Sequence, residues 1–148
     1  MDLEPITREM LSRSDVQSSA VMKDVCEPVL AMYASGEPQL PWAGYLAGES
    51  GAFVGTCAFK TPPGEEGVEI AYFTFPGHEG RGVATRMAKR LVEIAEINGV
   101  SKVRAQTLPE KNASTHILEK LGFTCVGPVQ HPEDGTVWEW LLEGDKAG

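Results

Sequence analysis

Gly77-His78-Glu79-Gly80-Arg81-Gly82-Val83-Ala84-Thr85 is the stretch on which the reading of this chain turns. Upstream, residues 68–75 are rich in β-formers, with Ile70, Tyr72, Phe73 and Phe75, and Pro76-Gly77 closes the run. Downstream, Val83, Met87, Leu91, Ile94 and Ala95 make an apolar stripe at helical spacing, and Asn98-Gly99 is a stop signal. A glycine-rich turn therefore leaves a strand and opens a helix. Glycines let several backbone N–H groups converge on one point, and the helix N-terminus adds partial positive charge. The pattern reads as a phosphate cradle. It has no Lys-Ser or Lys-Thr, which a Walker loop requires. It also misses the third glycine of a dinucleotide fingerprint, where Thr85 stands, and the partner acid on a second strand. A glycine-rich connection without a ligand is the alternative.

Outward from this stretch the elements order as β-α-α-β-β-β-α-β-α-β-β, a mixed sheet with helices packed on it. A short first strand falls in residues 2–7. Residues 14–35 read as helical, with Ser14 and Gln17 as a capping box, Val21, Val25 and Val29 at helical spacing, and Pro28 splitting or kinking the segment. Strands follow over 42–46, 52–60 and 68–75, then the helix 83–98 and a strand over 102–108. Asn112 caps a short helix through Leu121, with Gly122 at its end. Residues 123–129 and 136–142 form a hairpin, and 143–148 read as a frayed tail.

The chain has 148 residues, of which 42% are hydrophobic and 23% charged, ordinary values for one globular domain over residues 1–148. No apolar run approaches the roughly 18 residues of a membrane span. Met1-Asp2-Leu3-Glu4-Pro5 is acidic with no apolar stretch behind it, so no secretory leader and a cytoplasmic location are expected. Cys26, Cys57 and Cys125 are odd in number and far apart, which favours buried reduced thiols over a disulfide framework. His78, His116 and His131 have no ligand spacing, so no metal is expected. The net charge of −8 disfavours nucleic acid. Residues 81–111 run against it, with seven bases and three acids, and can attract a phosphorylated ligand.

Three blocks carry a family resemblance. Glu79-Gly80-Arg81-Gly82-Val83-Ala84 resembles the Gln/Arg-x-x-Gly-x-Gly/Ala signature of the GNAT superfamily, the acyl-CoA-dependent N-acetyltransferases. Glu69-Ile70-Ala71-Tyr72 with Pro76 resembles a strand of its ribosomal-protein N-terminal acetyltransferase branch. Pro109-Glu110-Lys111-Asn112-Ala113-Ser114, followed by Ile117-Leu118-Glu119-Lys120-Leu121-Gly122-Phe123, resembles a helix of the same branch. The similarity is strong over residues 66–127.

The resemblance implies a GNAT fold: an α/β (α+β) architecture with a mixed, mostly antiparallel sheet of six to seven strands and about four helices. It implies acetyl-CoA as co-substrate, in a V-shaped split between the fourth and fifth strands. Backbone groups of Gly80, Arg81, Gly82, Val83, Ala84 and Thr85 would hold the pyrophosphate. Those of Tyr72, Phe73 and Thr74 would meet the pantetheine arm and polarise the thioester carbonyl. Arg81, Arg86 or Lys111 would meet the nucleotide phosphates. The chain departs from the family pattern at three places. Glu79 replaces Gln or Arg, and Leu118 replaces a Tyr general acid. Lys111 takes the place of an Asn that Asn112 would supply after a one-residue slip.

Acetyl transfer to an amine needs a base for the amine proton and an acid for the departing thiolate. By position, Glu69 is the candidate base and Ser114 the candidate acid, with Tyr72, Tyr33 and Tyr45 as further proton carriers. For Glu69 the alternative is a surface acid on an alternating strand, and for Ser114 a first-turn polar residue. Trp138 and Trp140 read as sheet packing, and Cys125 as a buried small hydrophobe. Asp24, Glu27, Glu37, Glu133 and Asp134 fall in segments where this family builds acceptor sites, an acidic mouth that would favour a cationic amine. The expected acceptor is a protein N-terminus or a small cationic amine. No membrane partner is expected, and a homodimer stays open. A GNAT-like module that binds acyl-CoA without turnover is the alternative to an enzyme.

Overall fold

The computed structural model describes residues 1–13, 20–33 and 38–143. In chain order it has β1 (Asp2–Pro5), a 3-10 turn (Glu9–Ser12), α1 (Ala20–Met32), β2 (Gly44–Glu49), β3 (Ala52–Phe59), β4 (Val68–Thr74) and α2 (Val83–Ile97). There follow β5 (Lys102–Thr107), α3 (Ala113–Lys120), β6 (Thr124–His131) and β7 (Gly135–Glu143). One seven-stranded sheet runs β1-β2-β3-β4-β5-β7-β6. Every pairing is antiparallel except β4 with β5. None of the described helices is long and apolar enough to cross a membrane.

The alternation of the strands sorts side chains to two faces. On one face Val68 and Ile70 of β4 and Val103 and Ala105 of β5 meet α2 and α3. α2 contributes Val83, Met87, Leu91 and Ala95 at steps of four, with Ala88 and Val92 beside them. Leu91 is fully buried, which stabilises the fold by about 1.5–3 kcal/mol. On the other face Leu46 and Phe75 meet Cys26 and Leu30 of α1, with Ile6 and Met10. The helix, glycine turn and sheet expected from sequence thus form the frame of one β4–turn–α2 unit.

Several expectations change. Pro28 does not split the helical segment, because α1 is continuous through it. Pro28 and Asp24 are both exposed, so the carbonyl that Pro28 leaves without a donor lies on the solvent side. Three α-helices and one 3-10 turn stand among the described residues where about four helices were expected; the Ser14–Gln17 capping box lies outside them. The hairpin strands reach further than expected, so that His131 pairs with Gly135. His131 Nδ1 accepts the N–H groups of Glu133 and Asp134 and closes the tight turn. Glu143 belongs to β7, paired with Lys102, and residues 144–148 lie outside the described residues. Cys125 is exposed rather than buried, and it lies on β6, the edge strand of the sheet. Cys26 and Cys57 are buried as expected.

Candidate active site

Gly80 and Gly82 hold φ of +77° and +76°, a region that side chains rarely adopt. A Cβ on Gly80 would meet nothing within 4 Å, so the space over the turn is open. Gly82 is the N-cap of α2, and no side chain caps the helix. The N–H of Arg86 closes onto the Gly82 carbonyl at 3.1 Å. The N–H groups of Val83, Ala84 and Thr85 therefore precede the helical ladder and leave its end as donors. No acid lies in the first turn. Glu79, the departure from the family pattern, folds back to accept the Gly77 N–H at 2.8 Å.

The three cations expected near the phosphates separate. Arg86 donates through Nε and Nη2 to both oxygens of Glu49, at 2.6 and 2.7 Å, and through Nη1 to the Arg81 carbonyl at 2.9 Å. It braces the turn against β2. Its hydrogen bonds hold the Glu49 carboxyl below the usual carboxylate range. Lys111 Nζ lies 3.1 Å from Glu119. Arg81 is exposed and, among the described residues, carries no ion pair.

β4 and β5 pair at only two positions, Val68 with Val103 and Glu69 with Arg104. Beyond these the strands part, which opens the split. The backbone direction along β4 follows from its other neighbour. The N–H of Lys60 donates to Glu69, and that of Phe75 to Val54, so odd-numbered residues of β4 hydrogen-bond to β3. Tyr72 and Thr74 consequently turn N–H and C=O into the split. Phe73 does not: its backbone faces Thr56 on β3, and the residue is 54% exposed. The expected backbone role of Phe73 is thereby corrected.

Tyr72 and Ser114 come together across the split. Burial pushes the Tyr72 hydroxyl up to about 12, and the neighbouring Ser114 hydroxyl offsets part of that rise. The phenol therefore stays protonated through the neutral range and can donate. Leu118, in the place of the family tyrosine, is fully buried in the core below α3 and carries no proton. Asn112 caps α3: its Oδ1 accepts the Thr115 N–H at 3.1 Å, while Thr115 Oγ1 accepts the Asn112 N–H at 2.9 Å. The cap engages its oxygen, and Nδ2 is the side chain's donor end.

Glu69 lies on the opposite face from Tyr72, at the closed end of the split. Lys60 Nζ stands 3.0 Å from Glu69 Oε2; the lysine side chain is 41% exposed and the glutamate 16%. One strand over, Arg104 donates to Glu139 at 2.7 Å, and its buried Nε has no hydrogen-bond partner among the described residues. Beside this pair is an apolar pocket of about 200 Å³ between α1 and β3–β4. Val29, Met32, Ala58, Ala71 and Phe73 line it, and Lys60 is its charged residue. Asp24, Glu27, Glu133 and Asp134 are exposed and outside that lining, and Glu37 lies outside the described residues. The wall of this pocket is apolar, with Lys60 as the charged residue among its described lining. Lys60 was missed from sequence, although the hairpin 52–75 places it opposite Glu69.

The sequence profile described as "Acetyltransferase (GNAT) domain" matches residues 2–124. The chain belongs to this family. Among relatives of the GNAT domain is the N-acetylaspartate synthetase of Danio rerio, 30% identical over 90 residues, which are 60% of this chain and 31% of the relative. Another is the L-amino acid N-acyltransferase MnaT of Escherichia coli (strain K12), 30% identical over 107 residues, or 67% of this chain and 61% of the relative. The chain thus spans less than two thirds of either relative. The structure of YncA from Salmonella typhimurium with its cofactor acetyl-CoA superposes with a TM-score of 0.61 at 22% identity. It covers 74% of this chain and 68% of that one, a likeness of fold.

Proposed function

We propose that residues 1–148 form one domain that transfers an acetyl group from acetyl-CoA to the primary amine of a small molecule in the cytoplasm. The split between β4 and β5 carries this reading. Tyr72 and Thr74 offer strand-like N–H and C=O groups there, and the open turn at residues 80–85 offers helix-end donors for a pyrophosphate. Acetyl-CoA supplies the activated acyl group as its thioester. Glu69 takes the proton that the amine must lose before its nitrogen can bond to the acyl carbon. The Tyr72–Ser114 hydroxyl pair returns a proton to the departing sulfur, so amide and free thiol are the products. Backbone N–H groups in the split donate to the carbonyl oxygen. The small pocket and the two relatives named for amino-acid chemistry favour a small acceptor over a protein N-terminus.

Leu118 in place of the tyrosine favours a second reading, an acyl-CoA-binding module without turnover. Calorimetric titration with acetyl-CoA, with ATP and NAD as controls, tests the cleft. Thiol release with a panel of amines tests turnover. Micromolar acetyl-CoA binding with thiol release supports transfer. Binding without release on any amine supports the silent module, and no binding overturns both.

A further inference from the structure

We infer that the acceptor is a free amino acid with an apolar side chain, whose zwitterion exchanges partners with the Lys60–Glu69 ion pair. This deepens the acetyl-transfer reading and rests on it.

The ion pair stands at the closed end of the split and holds Glu69, the base that the amine must reach in the proposed transfer. An ammonium that reaches Glu69 displaces Lys60, and the displaced cation then needs an anion. An α-amino acid brings both charges on neighbouring atoms. Its ammonium replaces Lys60 on Glu69, and its carboxylate replaces Glu69 on Lys60. The lysine is the more exposed member, so it can swing to the new partner while the glutamate stays. Arg104, the other cation beside Glu69, is held by Glu139. The side chain of the acceptor enters the pocket of Val29, Met32, Ala58, Ala71 and Phe73, which borders Lys60. That pocket, at about 200 Å³, is below the roughly 300–1,000 Å³ of sites for drug-sized ligands, so it suits a single side chain. A polyamine would set a second ammonium against Lys60. A peptide N-terminus has an amide where the carboxylate is needed.

The test measures kcat/KM by thiol release for L-leucine, L-leucinamide, 3-methylbutylamine and spermidine. The ratio of L-leucine to L-leucinamide is compared between wild type and Lys60→Met, which cancels the difference in amine basicity. The expected ratio is at least about tenfold higher in wild type, the size of one charge-assisted hydrogen bond. Lys60→Arg, which keeps the cation, retains it. A lysine that merely supported the fold would lower both substrates together and leave the ratio unchanged, which overturns the inference. A wild-type preference for spermidine or 3-methylbutylamine over L-leucine also overturns it, while acetyl transfer stands. Absence of thiol release with L-leucine overturns this inference, and absence of release across the whole amine panel removes the acetyl-transfer reading with it.

Discussion

Gly82→Glu is the sharpest probe of the phosphate cradle. The backbone at Gly82 has φ of +76°, and a residue with a Cβ costs about 1–2 kcal/mol there. The new Cβ would lie 2.9 Å from Arg86 Nη1, the far end of a flexible side chain. Arg86 can give way, at the cost of its bond to the Arg81 carbonyl, about 1 kcal/mol. The sum of about 2–3 kcal/mol is below the roughly 5–15 kcal/mol of an ordinary domain, so the variant stays folded. Affinity falls for a separate reason. A carboxylate about 4 Å from each of two phosphate charges costs about 1 kcal/mol per charge even at the dielectric of water. That is about thirtyfold in Kd, before any steric term. Circular dichroism and urea unfolding check the fold, and calorimetry with acetyl-CoA reads the affinity. A folded Gly82→Glu protein that binds acetyl-CoA within about twofold of wild type would refute the cradle, whatever the catalytic residues do.

Three further outcomes are expected. Glu69→Gln lowers kcat/KM by about 100-fold or more, the range of one general base, and shifts the calorimetric Kd for acetyl-CoA little. Tyr72→Phe keeps the ring packing and lowers kcat by about 100-fold if the hydroxyl is the acid, read by thiol release at saturating acetyl-CoA. Alkali destabilises the fold. Burial raises Tyr45, Cys57 and Tyr72 to about 12, while the unfolded chain ionises them near 9 to 10. The folded state holds these protons longer, so their contribution is complete below about pH 9 and is lost as pH rises toward 12. The unfolding free energy from urea melts should be lower at pH 10.5 than at pH 8 by about 3 kcal/mol, and equal free energies would count against the burial of these groups.

The parts of the site written in adjacent residues were legible from sequence. The turn at 77–85 needs only local glycines and the stripe that follows, and Asn112 shows itself as a cap through its place before α3. Pairings between distant strands were harder. The parting of β4 from β5 depends on register between segments more than 30 residues apart, and no local pattern encodes it. The brace from Arg86 to Glu49 joins α2 to β2 across 37 positions, so no local pattern showed it. Phe73 failed for a subtler reason. A strand's side-chain period is readable, but which residues turn their amides to which neighbour needs the register with β3. Cys125 failed because edge position in a sheet is a property of strand order, which composition does not carry.

The two residue pairs between β4 and β5 divide the seven strands into a block of four and a block of three, seamed at one end. Past the seam, the gap has the polarity of a strand and no strand in it. A pantetheine arm, which carries two amides of its own, is chemically a short peptide that can lie there. On the proposed function, the sheet would then be finished by a molecule that leaves after every turnover. Stability of the seam and occupancy of the site would be one equilibrium, in which the concentration of co-substrate sets how firmly the two blocks are joined.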